Sequence, residues 1–209
     1  MAAVTDAYAT PAEYRARTDK SDLGEDTEID GQLSAVSRFL DKRMRRFFNQ
    51  DAAVVTRTYD GNGRAKLWLP DDIATATGLV VMADLDGDYD FSDETALVLN
   101  TDFWLGDYDA DKGSEPRPFE WLEIHPNSSK LSAWPEQKRA VQVTAKFGWP
   151  AVPPAIKELT VGITRVLREL QIAGPALTLQ NIEAAISLKP DIGFLLRDMQ
   201  RLYMRPTGF

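Results

Sequence analysis

VQVTAKFGWPAVPPAIKELTVGITRVLREL, residues 141–170, changes its period half-way along, and that change decides the fold. Up to Phe147 apolar and polar residues alternate, as on a strand with one buried face. From Ile156 the apolar residues Ile156, Leu159, Ile163, Val166, Leu167 and Leu170 recur at three- and four-residue spacing, as on one face of a helix. The intervening Trp149-Pro150-Ala151-Val152-Pro153-Pro154 continues neither pattern, because proline lacks the N–H that a ladder or a helix interior requires. A β-rich region ends here and a helical region begins.

Toward the C-terminus, the helix is expected to stop at Gly174-Pro175 and a short helix to follow at about 179 to 188. Pro190-Asp191 opens a last helix with the stripe Ile192, Leu195, Met199, Leu202 and Tyr203, and Arg197, Arg201 and Arg205 on its other faces. Toward the N-terminus, FEWLEIH, ALVL, GLVVMA, RAKLWL and AVVTRTY read as strands back to residue 52. Asp60-Gly61-Asn62-Gly63 and Asp86-Gly87 read as the turns of two hairpins. Ahead of them Ile29, Leu33, Val36, Leu40, Met44, Phe47 and Phe48 form a helical stripe about five turns long, whose other faces carry Arg38, Lys42, Arg43, Arg45 and Arg46. Thr10–Glu13 and Thr27–Asp30 have the pattern of capping boxes. The fold class is α+β: helices at 1–50, a large antiparallel β module inserted at 51–150, and helices again at 151–209. Neither helical end can bury its stripe alone, so the two are expected to pack on each other.

Composition narrows the function. The 209 residues carry 24 Lys and Arg against 32 Asp and Glu, a formal charge of −8, which argues against a protein that wraps nucleic acid from outside. With no cysteine and the single His125, disulfides, thiol nucleophiles and most zinc ligand sets are excluded, leaving oxygen-ligated ions. No stretch has the length of a membrane span or the character of a secretory leader, so the expectation is a soluble protein without a membrane partner. His125 lies beside Pro126 at a strand end with no Gly-x-Ser-x-Gly elbow, and Gly61-Asn62-Gly63 lacks the third glycine of a nucleotide loop. Neither an enzyme nor a cofactor is expected.

Asp84, Asp86, Asp88 and Asp90 alternate along one turn, as ligands of a hard cation do. In an EF-hand loop glycine is sixth and a bidentate glutamate twelfth. Counted from Asp84, glycine is fourth and Thr95 twelfth, which favours a solvated turn over a calcium site. Between residues 84 and 115 there are 11 acidic residues and one basic, Lys112. Such a run is a solvated surface, or a lining that keeps phosphates from sticking in a DNA passage. The set Arg38, Lys42, Arg43, Arg45 and Arg46 is assigned to a contact between subunits, with the acidic β module as its complement. Trp68, Trp104, Trp121, Trp134 and Trp149 are dispersed over separate runs, which favours packing over a glycan or base platform.

In order, several segments resemble the head-to-tail connector, or adaptor, family of long-tailed double-stranded DNA bacteriophages and related gene-transfer particles. They are Thr10–Tyr14, Ile29–Phe48, Arg57-Thr58-Tyr59-Asp60-Gly61, Leu67–Asp72, VQVTAKFGWPAVPPAIKE at 141–158, and Asp191–Arg205. The resemblance implies a homo-oligomeric ring of about 12 subunits that docks on the portal protein and joins the head to a stopper or tail protein while double-stranded DNA passes through its channel. It implies a virion protein of the neck, assembled in the host cytoplasm. Docking then falls to Asp191–Phe209, with Arg197, Arg201, Tyr203 and Arg205 the contacts and the rest of the chain expected to fold without them. The alternative is a calcium- or carbohydrate-binding β module of a tail or adhesion component, resting on Asp84 to Asp90.

Overall fold

A computed structural model describes residues 7–18, 26–107, 110, 115–170 and 178–205. The described chain is α+β and divides into two units, a helical one up to Phe48 and from Val152 onward, and a β unit at Asn49–Ala151. The stop expected at Gly174-Pro175 and the last residues of the docking segment lie outside the described residues.

The helical unit contains α1 (Pro11–Thr18), α2 (Asp26–Met44), α3 (Pro154–Glu169), α4 (Leu179–Ser187) and α5 (Pro190–Tyr203). The capping box of α1 forms: the Glu13 N–H donates to Thr10 Oγ1 at 3.2 Å and the Thr10 N–H to Glu13 Oε2 at 2.8 Å. The second box is corrected, because α2 already begins at Asp26 and Thr27 lies inside its first turn. The stripes of α2 and α3 are buried at Ile29, Leu33, Val36, Leu40, Ile156, Leu159, Ile163 and Leu167. Lys157 of α3 pairs with Glu13 of α1 at 3.1 Å, and Arg168 of α3 with Glu28 of α2 at 3.6 Å. Packing of one helical end on the other buries both stripes as expected, except for Leu170, which is exposed at the end of α3.

Two helical expectations need correction. α2 stops at Met44, and Arg45 takes a left-handed conformation (φ 55°), so Phe47 and Phe48 do not extend the helical stripe. The turn instead brings Phe48 back into the core, where its ring meets the edges of Tyr8 (5.6 Å) and Tyr203 (5.8 Å). In α5 the buried residues are Leu196 and Met199, whereas Leu202, expected inside, is exposed.

The β unit is one antiparallel sheet of β1 (Val55–Tyr59), β2 (Lys66–Ala83), β3 (Phe103–Gly106), β4 (Phe119–Ile124) and β5 (Val141–Phe147), in the order β1-β5-β2-β4-β3. β5, the strand of the opening stretch, lies between β1 and β2, and Val141, Val143, Ala145 and Phe147 alternate into the core. The hairpin expected at Asp60–Gly63 therefore does not form. The connection between β1 and β2 is held open by the segment leading into β5: the Gly61 N–H donates to the Gln137 carbonyl and the Arg139 N–H to Asp60. A Cβ on Gly61 would lie 1.9 Å from the Pro135 carbonyl oxygen, so only glycine fits there. The second hairpin is also absent, since YDF forms no strand and Leu97 alone bridges back to Val81. β2 is long and interrupted by irregularities, with Pro70 between the paired Trp68 and Ile73, and Gly78 (φ 78°) between Thr75 and Val80. No described helix is long and apolar enough to cross a membrane.

Candidate functional site

Of the residues assigned to docking, Arg197, Arg201 and Tyr203 lie on α5 and Arg205 just beyond its end, and the structure separates them. Proline at the first helical position and Asp191 in the first turn start it. Leu196 and Met199 anchor its inner face. On the opposite face Phe194, Arg197, Asp198 and Arg201 follow the i, i+3, i+4, i+7 rule and line a shallow recess of about 180 Å³. Phe194 is 67% exposed and the neighbouring Leu202 66%. Two large apolar groups flanked by two arginines have the composition of a protein contact surface. Tyr203 and Arg205 point the other way. The Tyr203 ring packs on Phe48, Arg205 is buried, and its N–H donates to the Met44 carbonyl at 3.0 Å.

The basic set along α2 and the turn that follows it is divided too. Arg38 pairs with Asp41 at 3.1 Å and lies over the rings of Tyr8 and Phe47. Arg43 pairs with Glu183 at 3.0 Å. Lys42 and Arg45 are exposed and Arg46 half-buried. Arg38 and Arg43, expected to meet another subunit, thus already have partners inside the helical unit.

The carboxylates of Asp84, Asp86 and Asp88 come within 4.8 Å of one another, the approach a cation requires. Asp84, buried at the root of the turn, nevertheless accepts from the N–H groups of Gly87 (2.7 Å) and Tyr89 (3.0 Å) and from Gln137 Nε2 (3.1 Å). Asp86 accepts from the Asp88 N–H, Asp88 from that of Asp90, and Asp90 from Ser92. The Ser92 donors hold the Asp90 carboxyl below its ordinary pKa. The turn is organised by its own backbone donors, and it leaves Leu85 (55%) and Tyr89 (60%) exposed at its tip.

No protein family and no curated protein matches this sequence. Among solved structures, the chain is similar to one described as "Neck of empty GTA particle computed with C6 symmetry". The identity is 18%, the TM-score 0.46, and the alignment covers 88% of this chain and 92% of that one.

The remaining candidates have structural roles. Trp68, Trp104 and Trp121 do come together on one face of β2, β4 and β3, which their dispersal in the sequence concealed. The ring faces are occupied from within: Lys66 Nζ sits 3.7 Å from the Trp121 centroid and 4.5 Å from that of Trp68. His125 packs on Trp104 and accepts the Asn127 N–H through Nδ1, closing the turn after β4. A groove of about 530 Å³ at the end of the β unit is lined by Gln50, Thr75, Thr77, Phe119 and Lys146, among others, with no carboxylate or histidine in its wall among the described residues. The outward apolar residues missed in the sequence are Phe194 and Leu202. An aromatic among the charged residues of α5 was the available signal, and assigning Leu202 to the buried stripe obscured it.

Proposed function

We propose that this chain is the head-to-tail adaptor of a phage-like particle, a structural subunit that forms a ring on the portal, receives the stopper or tail protein and surrounds the exiting DNA. The observation that carries the reading is the passage from β5 to α3. A strand ending in Phe147, a glycine at positive φ, Trp149 and the Val152-Pro153-Pro154 entry to a helix stand in the adaptor order and at the junction of the two units. Support also comes from the placing of N- and C-terminal helices in one body with a β unit between them. The mechanism is geometrical: repeated heterologous contacts close a ring, and no chemical step is needed.

Docking on the portal belongs, on this reading, to Asp191–Phe209. Tyr203 and Arg205 pack inward in the helical unit, while Arg197 and Arg201 line the outward face of α5. The test is the protein's position in purified particles by immunogold labelling and subparticle proteomics. We expect it in DNA-filled heads at the head-tail joint; its absence from mature particles, or a position elsewhere, would end the adaptor reading.

A second reading, a calcium-binding β module, is favoured by the convergence of Asp84, Asp86 and Asp88. Calorimetry with calcium on the wild type and on an Asp86→Ala, Asp88→Ala variant separates the two. Binding heat that vanishes in the variant supports the cation site. No heat removes it.

A further inference from the structure

We propose that the outward face of α5 receives the Leu85–Asp90 turn of a second copy of this chain, forming a head-to-tail contact that repeats around a ring. The inference rests on the ring reading and gives it a specific joint. Two exposed surfaces of one chain match in both apolar and charged groups. α5 offers Phe194 and Leu202 with Arg197 and Arg201 between and beside them, spread over two helical turns. The turn offers Leu85 and Tyr89 with Asp86 and Asp88 alternating between them. Its shape is set before any contact, because the Asp84 carboxylate ties the N–H groups of Gly87 and Tyr89. A preformed turn loses little conformational freedom when it seats.

The two surfaces are different patches, so their pairing is heterologous and propagates from copy to copy. The apolar side chains supply the area removed from water, and the arginines meeting carboxylates fix register and partner. One helix face and one turn bury less than the roughly 800 Å² per partner of a standard stable interface. The single joint is therefore weak and transient, and it gains strength when the ring closes and each copy is held on both sides. This assigns Arg197 and Arg201 to the neighbouring subunit instead of the portal.

The absence of cysteine makes the test direct. Copies carrying Asp93→Cys, beside the turn, are mixed with copies carrying Asp198→Cys, in the α5 recess, and treated with a short bismaleimide. Ala53→Cys, exposed elsewhere on the β unit, replaces Asp93→Cys in the control. Each variant is checked for an unchanged melting temperature. We expect a product of twice the 23.3 kDa chain, well above the control and diminished by high salt. Arg197→Glu with Arg201→Glu in the Asp198→Cys copy should reduce its yield about tenfold through like-charge juxtaposition, and Asp86→Lys with Asp88→Lys in the other copy should restore it. No enrichment over the control, or no restoration, overturns the proposal. If the arginine reversal blocks attachment to portal-bearing heads and leaves the cross-link unchanged, the arginines meet the portal: the proposal falls and the adaptor reading stands. An enriched, charge-dependent cross-link in a protein absent from the head-tail joint supports the contact and removes the adaptor reading.

Discussion

Single positions in this chain are constrained by backbone approach as much as by side-chain chemistry. Gly148, within the stretch that marks the end of the β region, has φ 99°, and a Cβ there would lie 1.8 Å from the Asn49 carbonyl oxygen. Gly148→Ala should therefore cost about 3 kcal/mol, read as a lower urea midpoint. Gly31 is the counter-example: it sits inside α2 with open space around it, and Gly31→Ala should add about 0.5–1 kcal/mol of stability, read as a higher urea midpoint. What makes Gly148 irreplaceable is the carbonyl of Asn49, distant in the chain, which no local pattern records. Asp102 is a third case. Burial raises its carboxyl, but the Val98 N–H, Lys130 and Ser128 outweigh that and hold its pKa below the ordinary value. A carboxyl depressed in the folded state contributes stability above its unfolded pKa of about 3.9 and loses it as pH falls through the lower folded value. The stability gap between wild type and Asp102→Asn should thus be full near pH 7 and narrow at pH 3 in urea titrations.

At the level of elements, periodicity located the helices and most strands, and failed where a neighbour from elsewhere in the chain changed the outcome. The alternation in 141–147 located β5 well because one face is fully buried. The same kind of local signal predicted a hairpin at Asp60–Gly63, where β5 intervenes instead, since no local pattern records which strand enters a gap. β3 was missed because its four residues are too few for a period, and α2 was drawn too long because Phe48 is buried by a turn at Arg45. That turn gathers the N-terminal segment, the end of α2 and the end of α5. The Tyr8 hydroxyl donates to Asp41 and accepts the Phe48 N–H at 2.9 Å; burial, reinforced by the Asp41 carboxylate, pushes its pKa well above normal. Tyr8→Phe leaves that buried N–H without its acceptor, and we expect a loss of about 1–3 kcal/mol in chemical denaturation. The same junction corrects the expectation that residues 191–209 can be removed harmlessly. Truncation would strip Leu196, Met199 and the Tyr203 ring from the helical core, so a docking defect in such a variant would report unfolding. Surface substitutions at Arg197 and Arg201 avoid this confusion.

Across the whole molecule, the candidate contacts were legible in the sequence as charge and not as shape. The excess of acid between 84 and 115 and the arginines of α2 and α5 can be read from residue order, but which of them face outward depends on partners such as Glu183 for Arg43 and Met44 for Arg205. Only the folded chain reveals that the exposed apolar groups Phe194, Leu202, Leu85 and Tyr89 accompany the outward charges. The division into two units yields a last prediction. The core running from Tyr59 to Phe147, with Trp134, Leu122, Val81 and Val143 among its most buried members, lies wholly within Asn49–Ala151. The ends of that segment, at Gln50 and Gly148, bridge to each other, so excision leaves the sheet closed and its termini adjacent. A protein of residues 49–151 should then fold alone, with a β-type far-UV spectrum, an intact near-UV tryptophan signal and one cooperative thermal transition near that of the β unit in the full chain. The helical unit lacks this autonomy as a continuous segment, because its halves are joined only through the β unit, and residues 1–48 expressed alone should stay unfolded with Ile29, Leu33 and Leu40 uncovered. A molten spectrum for 49–151 would show that the sheet depends on the helices, and the two units would then have to be treated as one cooperative fold.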